Sequence, residues 1–182
     1  MSRINIPTVE QSPESSKPLL AAVAKQLGMV PNLMRLVGNS PAALEGYLSL
    51  NGALAKASID TALRERIALT VGEFNGCEYC LSAHDFLGRN FAKLSGSEID
   101  AARAGRSSDA RVDAALRFAR RVVVTRGMVT DEELSAVRAA GFDDAAVLEI
   151  VVTVALNVLT NYVNNVARTD VDFPKIAMQR AA

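Results

Sequence analysis

The sequence lacks several features that identify particular classes of protein. Its 182 residues carry 20 basic and 20 acidic side chains, so no surplus of positive charge favours nucleic acid or an acidic membrane as a partner. Residues 1–11 contain no apolar core of the kind that defines a signal peptide. We find no internal repeat and no low-complexity linker. These absences predict a cytoplasmic globular protein that binds neither nucleic acid nor a membrane.

The sequence also has no uninterrupted hydrophobic run of the length that a transmembrane helix requires. The most apolar stretch extends from Ala145 to Val166, and its polar residues make it too polar for a membrane span. These polar residues are Glu149, Thr153, Asn157, Thr160, Asn161, Asn164 and Asn165. The pattern predicts a helix that is buried in the molecule or between subunits. We expect its asparagines to make helix–helix or subunit contacts.

Little in the sequence predicts β-structure, because the only β-like run, Val122-Val123-Val124, lies within a charge pattern typical of a helix. Cap residues such as Ser40-Pro41 and Asp60 precede apolar residues at helical spacing, which predicts helices throughout the chain. The expected helices span about residues 12–28, 31–37, 41–54, 60–74, 77–91, 97–104, 109–126, 131–140 and 144–168. The expected apolar stripe of the fourth of these helices consists of Leu63, Ile67, Val71 and Phe74. The predicted fold class is all-α.

The chain has only two cysteines and one histidine, and all three lie in one short segment. Cys77 and Cys80 are three residues apart, and His84 follows Cys80 by four residues. On a helix these spacings place the three side chains on one face. Two cysteines this close in a cytoplasmic protein indicate redox activity or metal binding rather than a structural disulfide.

The spacing also suggests how the two thiols differ. Cβ atoms three residues apart on a helix are roughly 5–6 Å apart, and a disulfide needs about 3.5–4.5 Å, so the bond forms with modest adjustment. If Asn75 caps the helix, with Glu78 in a capping-box-like position, Cys77 lies in the first turn, where free N–H groups favour a thiolate. His84, one turn after Cys80, can take the proton of that thiol and return it. We therefore predict that Cys80 attacks and that Cys77 resolves.

A histidine that acts as a base usually has a third group that orients it. Two nearby glutamates, Glu65 and Glu73, are candidates, because each lies on a largely apolar helix face with no cation at helical spacing. The spacing alone does not choose between them.

The pattern of Glu65, Cys77-Glu78-Tyr79-Cys80 and His84 resembles the active site of the alkyl hydroperoxidase D (AhpD)-like proteins of the carboxymuconolactone decarboxylase family. The resemblance implies an all-helical fold with the CxxC at the start of a central helix, and a homo-oligomer, often a trimer or hexamer. In this family the glutamate lies twelve residues before the first cysteine, which selects Glu65. The second cysteine, here Cys80, is the peroxidatic one, and the glutamate and histidine relay the proton.

The resemblance extends beyond these residues. Gly28-Met29-Val30-Pro31-Asn32 and the stretch from Asn161 to Pro174 are similar to the peroxidase-related branch, in which a tyrosine such as Tyr79 is common between the cysteines. The resemblance thus implies an N-terminal extension at residues 1–19, a helical domain at 20–174 and a tail at 175–182. The lactone decarboxylases of the family lack the cysteine pair, so decarboxylation is not expected.

These observations predict a thiol-dependent peroxidase or disulfide reductase that acts on organic hydroperoxides without a cofactor or metal. The expected partners are a hydroperoxide substrate and a thiol or lipoyl-type reductant protein. Two alternatives remain open. One is a zinc-binding protein that uses Cys77, Cys80, His84 and a glutamate as ligands. The other is an oligomeric scaffold with a vestigial site.

Overall fold

The regular structure of the molecule is entirely helical within residues 2–179, which are the residues that this computed structural model describes. A short 3-10 helix, Glu14–Ser16, precedes the α-helices. These are α1 Lys17–Leu27, α2 Asn32–Val37, α3 Pro41–Leu54, α4 Thr61–Phe74, α5 Glu78–Asn90, α6 Gly96–Arg103, α7 Ala110–Thr125, α8 Asp131–Ala139 and α9 Asp144–Ala167. The predicted all-α class is confirmed, and the β-like run 122–124 lies inside α7.

Local sequence explains where most of these helices begin. Side-chain oxygens of the residues before α3, α4 and α6 to α9 each accept the backbone N–H of the third helical residue, which satisfies an otherwise unpaired donor. These cap residues are Ser40, Asp60, Ser95, Asp109, Thr130 and Asp143. The predicted helices are confirmed, with bounds that differ by a few residues.

The described helices enclose two hydrophobic clusters. The larger one is built around α4, α7 and α9 and includes the fully enclosed Leu69, Leu116 and Ile150. The smaller one joins α1, α2 and α3 to the start of α5 and contains Cys77 and Cys80. The CxxC segment therefore belongs to the packed interior rather than to a surface loop.

Helix α9 packs against α3, α4, α5, α7 and α8. By length and composition alone it could cross a membrane, which corrects the expectation that its polar residues make it too polar for a span. Half of its most apolar 18-residue stretch is buried within the structure, as in the core helix of a globular protein. The polar side chains of Thr153, Asn157, Asn161 and Asn164 are among those buried.

The predicted apolar stripe of α4 is wrong at its end: Leu63, Ile67 and Val71 are buried, but Phe74 is 42% exposed because the chain turns away after it.

The division into segments 1–19, 20–174 and 175–182 stays a prediction, and its outermost residues, 1 and 180–182, lie outside the described residues.

The burial pattern of α7 predicts unequal effects of two truncations. Leu116→Ala is expected to lower the free energy of unfolding by about 2–5 kcal/mol, because Leu116 is fully enclosed and its loss leaves a cavity. Val124→Ala, on the exposed side of the same helix, is the matched control and should change it by less than about 0.5 kcal/mol. Urea denaturation followed by circular dichroism measures both values. Equal losses would contradict the assigned buried face of α7.

Candidate active site

The link between α4 and α5 consists of residues 75–77 only, and Gly76 determines its course. Gly76 has φ +63°, a left-handed conformation that costs glycine little. The Gly76 N–H donates to the Glu73 carbonyl and the Cys77 N–H donates to the Gly72 carbonyl at 3.0 Å. This pair of bonds is the Schellman motif, which ends α4 and reverses the chain within one turn.

Cys77, at the end of this turn, is the N-cap of α5. Its backbone is extended, and its Sγ accepts the backbone N–H of Cys80 at 3.2 Å. The expectation that Asn75 caps α5 is therefore wrong, because Asn75 is the C-cap of α4. Glu78 is then the first helical residue rather than the third, so it forms no capping box with Asn75. Its carboxylate still lies in the first turn, where the helix dipole favours negative charge.

Cys77 and Cys80 form a disulfide with their Cα atoms 5.3 Å apart. The capping geometry explains why the two sulfurs meet, since an N-cap side chain folds back toward the third helical residue, which here is Cys80. Cys77 is fully enclosed, whereas Cys80 lies in the wall of a cavity. The two sulfurs therefore differ in the molecules that can reach them.

His84 lies on α5 one turn beyond Cys80 and contacts Glu65 on α4. Its Nδ1 is 2.8 Å from Glu65 Oε2, and both side chains are partly buried. A carboxylate in this position accepts the Nδ1 proton, which leaves Nε2 as the nitrogen able to act as a base. Both side chains line the same cavity as Cys80.

Glu73 has a different environment. Its buried carboxylate forms an ion pair with Arg103 Nε at 2.8 Å and accepts the backbone N–H of Gln179 at 2.6 Å. Its neighbours at helical spacing include no cation, but the fold brings one from α6. The structure thus places Glu65, and not Glu73, beside His84.

Sequence reasoning assigned no part in the site to Asn164. The Nδ2 group of this buried residue on α9 donates to Cys80 Sγ at 3.3 Å. Two further asparagines of α9 hold the α4–α5 link: Asn161 Oδ1 accepts the Asn75 side-chain amide, and Asn165 donates to the Asn75 carbonyl. The expected helix–helix role of these residues is thus found, but their spacing alone did not reveal the contact with the sulfur.

Tyr79, between the cysteines, connects the start of α5 to distant parts of the chain. Its hydroxyl accepts the Leu33 N–H at 3.0 Å and donates to Asp172 Oδ1 at 2.9 Å. Its ring also packs edge-on against Phe173. Burial raises the pKa of the Tyr79 phenol, so it stays protonated and holds the two segments together.

The cavity beside Cys80 has a volume of about 370 Å³, toward the lower end of the range for small-molecule sites. Most of its walls are apolar and come from α1 to α5 and α9. Burial raises the pKa of Tyr47 in this wall to about 12, and the nearby Glu65 carboxylate adds to the rise. Within residues 2–179 no group of three His, Cys, Asp or Glu side chains is placed to hold a metal ion, so the zinc alternative gains no support.

The sequence matches the carboxymuconolactone decarboxylase family over residues 41–125, which include Glu65, Cys77, Cys80 and His84. No curated protein matches the chain. The alkylhydroperoxidase AhpD core of a peroxidase-related protein from Ralstonia eutropha JMP134 is similar in structure, with TM-score 0.84, 23% identity and coverage of 94% of this chain and 92% of that one.

Two further solved structures are similar. For a peroxidase-related protein from Silicibacter sp. TM1040 the TM-score is 0.82, with 21% identity and coverage of 93% of this chain and 91% of that one. For the debrominase Bmp8 the TM-score is 0.75, with 21% identity and coverage of 87% of each chain. These similarities show that the fold is AhpD-like.

The contacts of Tyr79 predict a structural effect when its hydroxyl is removed. Tyr79→Phe leaves the Leu33 N–H and the Asp172 carboxylate without this partner and should lower the free energy of unfolding by about 1–3 kcal/mol. Amide hydrogen exchange should become faster in the peptides that contain Leu33 and Asp172. Tyr162→Phe, at an exposed position on α9, is the matched control and should change neither measurement. Unchanged exchange in Tyr79→Phe would show that these bonds do not hold the segments.

Proposed function

We propose that this chain, whose residues 41–125 belong to the carboxymuconolactone decarboxylase family and whose fold is AhpD-like, is a thiol-dependent peroxidase that reduces organic hydroperoxides. One observation carries most of the support. The Cys77–Cys80 disulfide lies at the start of α5, and Cys80 shares a cavity with the His84–Glu65 pair. A reversible disulfide beside a base and a space for substrate is what such a reaction requires.

In the proposed reaction Cys80 attacks, because its sulfur faces the cavity and that of Cys77 does not. The Cys80 thiolate forms a bond to one peroxide oxygen, the O–O bond breaks, and the alcohol leaves after gaining a proton. Cys80 becomes a sulfenic acid. His84 takes the thiol proton and supplies one to the alcohol, while Glu65 orients the imidazole. The Asn164 amide stabilises negative charge on the Cys80 sulfur.

Cys77 then attacks the sulfenic sulfur of Cys80, which forms the disulfide and releases water. The sum is one hydroperoxide and two thiols converted into one alcohol, one water molecule and one disulfide. The N-cap position favours the Cys77 thiolate in this step, because the free N–H groups at the start of α5 stabilise negative charge.

The same position favours reduction of the disulfide. A thiol or lipoyl-type reductant reaches the Cys80 sulfur from the cavity, and Cys77 leaves as a thiolate. A leaving thiolate that is stabilised leaves faster. The enclosed cysteine thus serves both steps, first as the resolving group and then as the leaving group.

A second candidate is reductive dehalogenation, which the apolar cavity next to Cys80 also allows. A structure of Bmp8, a debrominase, contains 2,3,4-tribromopyrrole bound to a cysteine-to-alanine variant. Two thiols of the present chain would convert an aryl bromide into the arene and hydrogen bromide and become a disulfide. Bromide release from tribromopyrrole, measured beside hydroperoxide consumption, separates the two candidates.

A homo-oligomer, a trimer or hexamer, stays a prediction, as does the cytoplasmic location. Helix α9 exposes the side chains of Leu148, Leu159, Tyr162 and Val166. Apolar side chains on one helix are consistent with burial between subunits.

The different surroundings of the two cysteines predict that Cys80→Ser and Cys77→Ser differ in peroxide consumption. In a single turnover of the reduced protein with cumene hydroperoxide, Cys80→Ser should consume no peroxide. Cys77→Ser should consume one equivalent and accumulate a sulfenic acid at Cys80, which dimedone labelling and mass spectrometry detect. Consumption by Cys80→Ser but not by Cys77→Ser would mean that the two roles must be exchanged.

The His84–Glu65 contact predicts a pH-dependent defect. His84→Ala should slow peroxide consumption most near neutral pH, and the defect should shrink above the usual thiol pKa of about 8.5, where the thiolate forms without a base. Glu65→Gln should give a milder form of the same profile, because the imidazole remains. Stopped-flow rates across pH measure both.

Glu73→Gln is the matched control for Glu65→Gln. It should lower stability, because it removes the closer and buried carboxylate partner of Arg103 and leaves only Asp100 at 4.0 Å among residues 2–179, but it should keep the pH profile of the wild type. A changed profile in this control, with none in Glu65→Gln, would contradict the proposed relay.

A further inference from the structure

The cavity beside Cys80 is lined mostly by apolar side chains, with a smaller number of polar ones. Gln26 and Thr61 are exposed and line its mouth, while Leu33, Met34 and Leu156 are buried and line its interior. A molecule that fills this space needs an apolar body and one polar end.

Arg64 lines the cavity one helical turn from the exposed Thr61. It is the only arginine in the cavity wall as far as residues 2–179 show, and it lies on the face of α4 that also contributes Thr61 and Ala68. Its Nη2 donates to Thr61 Oγ1 at 3.1 Å, and its Nε, which is closed off from solvent, has no hydrogen-bond partner there. A ligand acceptor in the cavity would therefore bond the outer Nη groups of the guanidinium rather than the enclosed Nε.

Six other arginines of the described chain contrast with Arg64, whereas Arg35 and Arg111 also have no carboxylate partner there but do not line the cavity. Arg66, Arg89, Arg103, Arg106, Arg121 and Arg138 each pair with a carboxylate of the protein within 3 Å. Arg64 pairs with no carboxylate of residues 2–179. Glu65, the next residue in the sequence, makes its contact with His84 instead. A guanidinium at a cavity mouth, with no acid of its own, matches a carboxylate that arrives with a ligand.

The distance to Cys80 indicates the length of that ligand. A Cβ at Gly72 would lie 3.8 Å from the Cys80 Cβ, so Gly72 marks the level of the reactive sulfur along α4. Arg64 precedes Gly72 by eight residues, which is about 12 Å along a helix axis. The polar end of the ligand is therefore well separated from the reacting group.

From these observations we propose that the cavity binds long-chain carboxylic acids that carry a hydroperoxide, with the carboxylate at Arg64 and the peroxide at Cys80. This inference rests on the proposed peroxidase function and names its substrate class. Arg64 is the residue that determines specificity. The chemistry at sulfur is unchanged, because the acid hydroperoxide becomes the corresponding hydroxy acid and water while the two thiols become a disulfide.

The test compares linoleic acid hydroperoxide with its methyl ester, which has the same chain and no charge. The acid-to-ester ratio of kcat/KM in the wild type should fall about tenfold or more in Arg64→Met, which is the loss expected for one charge-assisted contact. Arg64→Lys should restore part of the ratio. Arg117→Met removes one exposed positive charge on α7 and should leave the ratio unchanged. An equal ratio in wild type and Arg64→Met overturns the inference.

A binding measurement keeps this test separate from the proposed function. Titration calorimetry of the oxidised protein with decanoate and with decanol needs no turnover. Decanoate should bind the wild type about tenfold or more tightly than Arg64→Met, whereas decanol should bind both equally. This result with no consumption of any hydroperoxide would reject the peroxidase and leave the carboxylate site standing. Consumption of cumene hydroperoxide without preference for decanoate would reject the carboxylate site alone.

Discussion

The site depends on one hydrogen bond, from the backbone N–H of Cys80 to the sulfur of Cys77. A helix start must satisfy its free N–H groups, and here a cysteine does so in place of the usual serine or aspartate. The Cys77 side chain that caps the helix therefore lies next to Cys80, with which it forms a disulfide. Redox chemistry and helix capping are thus two properties of the same three-residue spacing.

The other parts of the site are arranged around that turn. Because Gly76 ends α4 and starts the reversal, α4 and α5 pack side by side, and Glu65 of one helix meets His84 of the next. Helix α9 donates hydrogen bonds from Asn165 to the turn and from Asn164 to the Cys80 sulfur. The same packing leaves an open space in front of Cys80, which α1 to α3 complete. A small displacement of the turn would therefore alter the disulfide, the proton relay and the cavity together.

Features that local sequence controls were predicted well. Caps such as Ser40 and Asp60 act within one helical turn, so the sequence located the helices that follow them. The cap of α5 was assigned to the wrong residue because asparagine is an ordinary N-cap residue, and only the bonds made around Gly76 show that Asn75 ends α4 instead.

Features that depend on tertiary structure were harder to predict from the sequence. Geometry separates Glu65 from Glu73 through Arg103, which lies 30 residues from Glu73 along the chain. The contact between Asn164 and Cys80 joins residues 84 positions apart, and no periodic pattern carries that information.

The two residues between the cysteines illustrate how unevenly a short motif is constrained. Glu78 is exposed, and what the structure asks of it is a side chain compatible with the first turn of a helix. Tyr79 is buried, with its ring and its hydroxyl both engaged. During evolutionary drift, position 78 is therefore open to exchange among many polar residues, whereas a change at position 79 requires compensating changes at Asp172 or Phe173. Coupled variation at these positions would be the mark that this packing leaves in the sequences of related proteins.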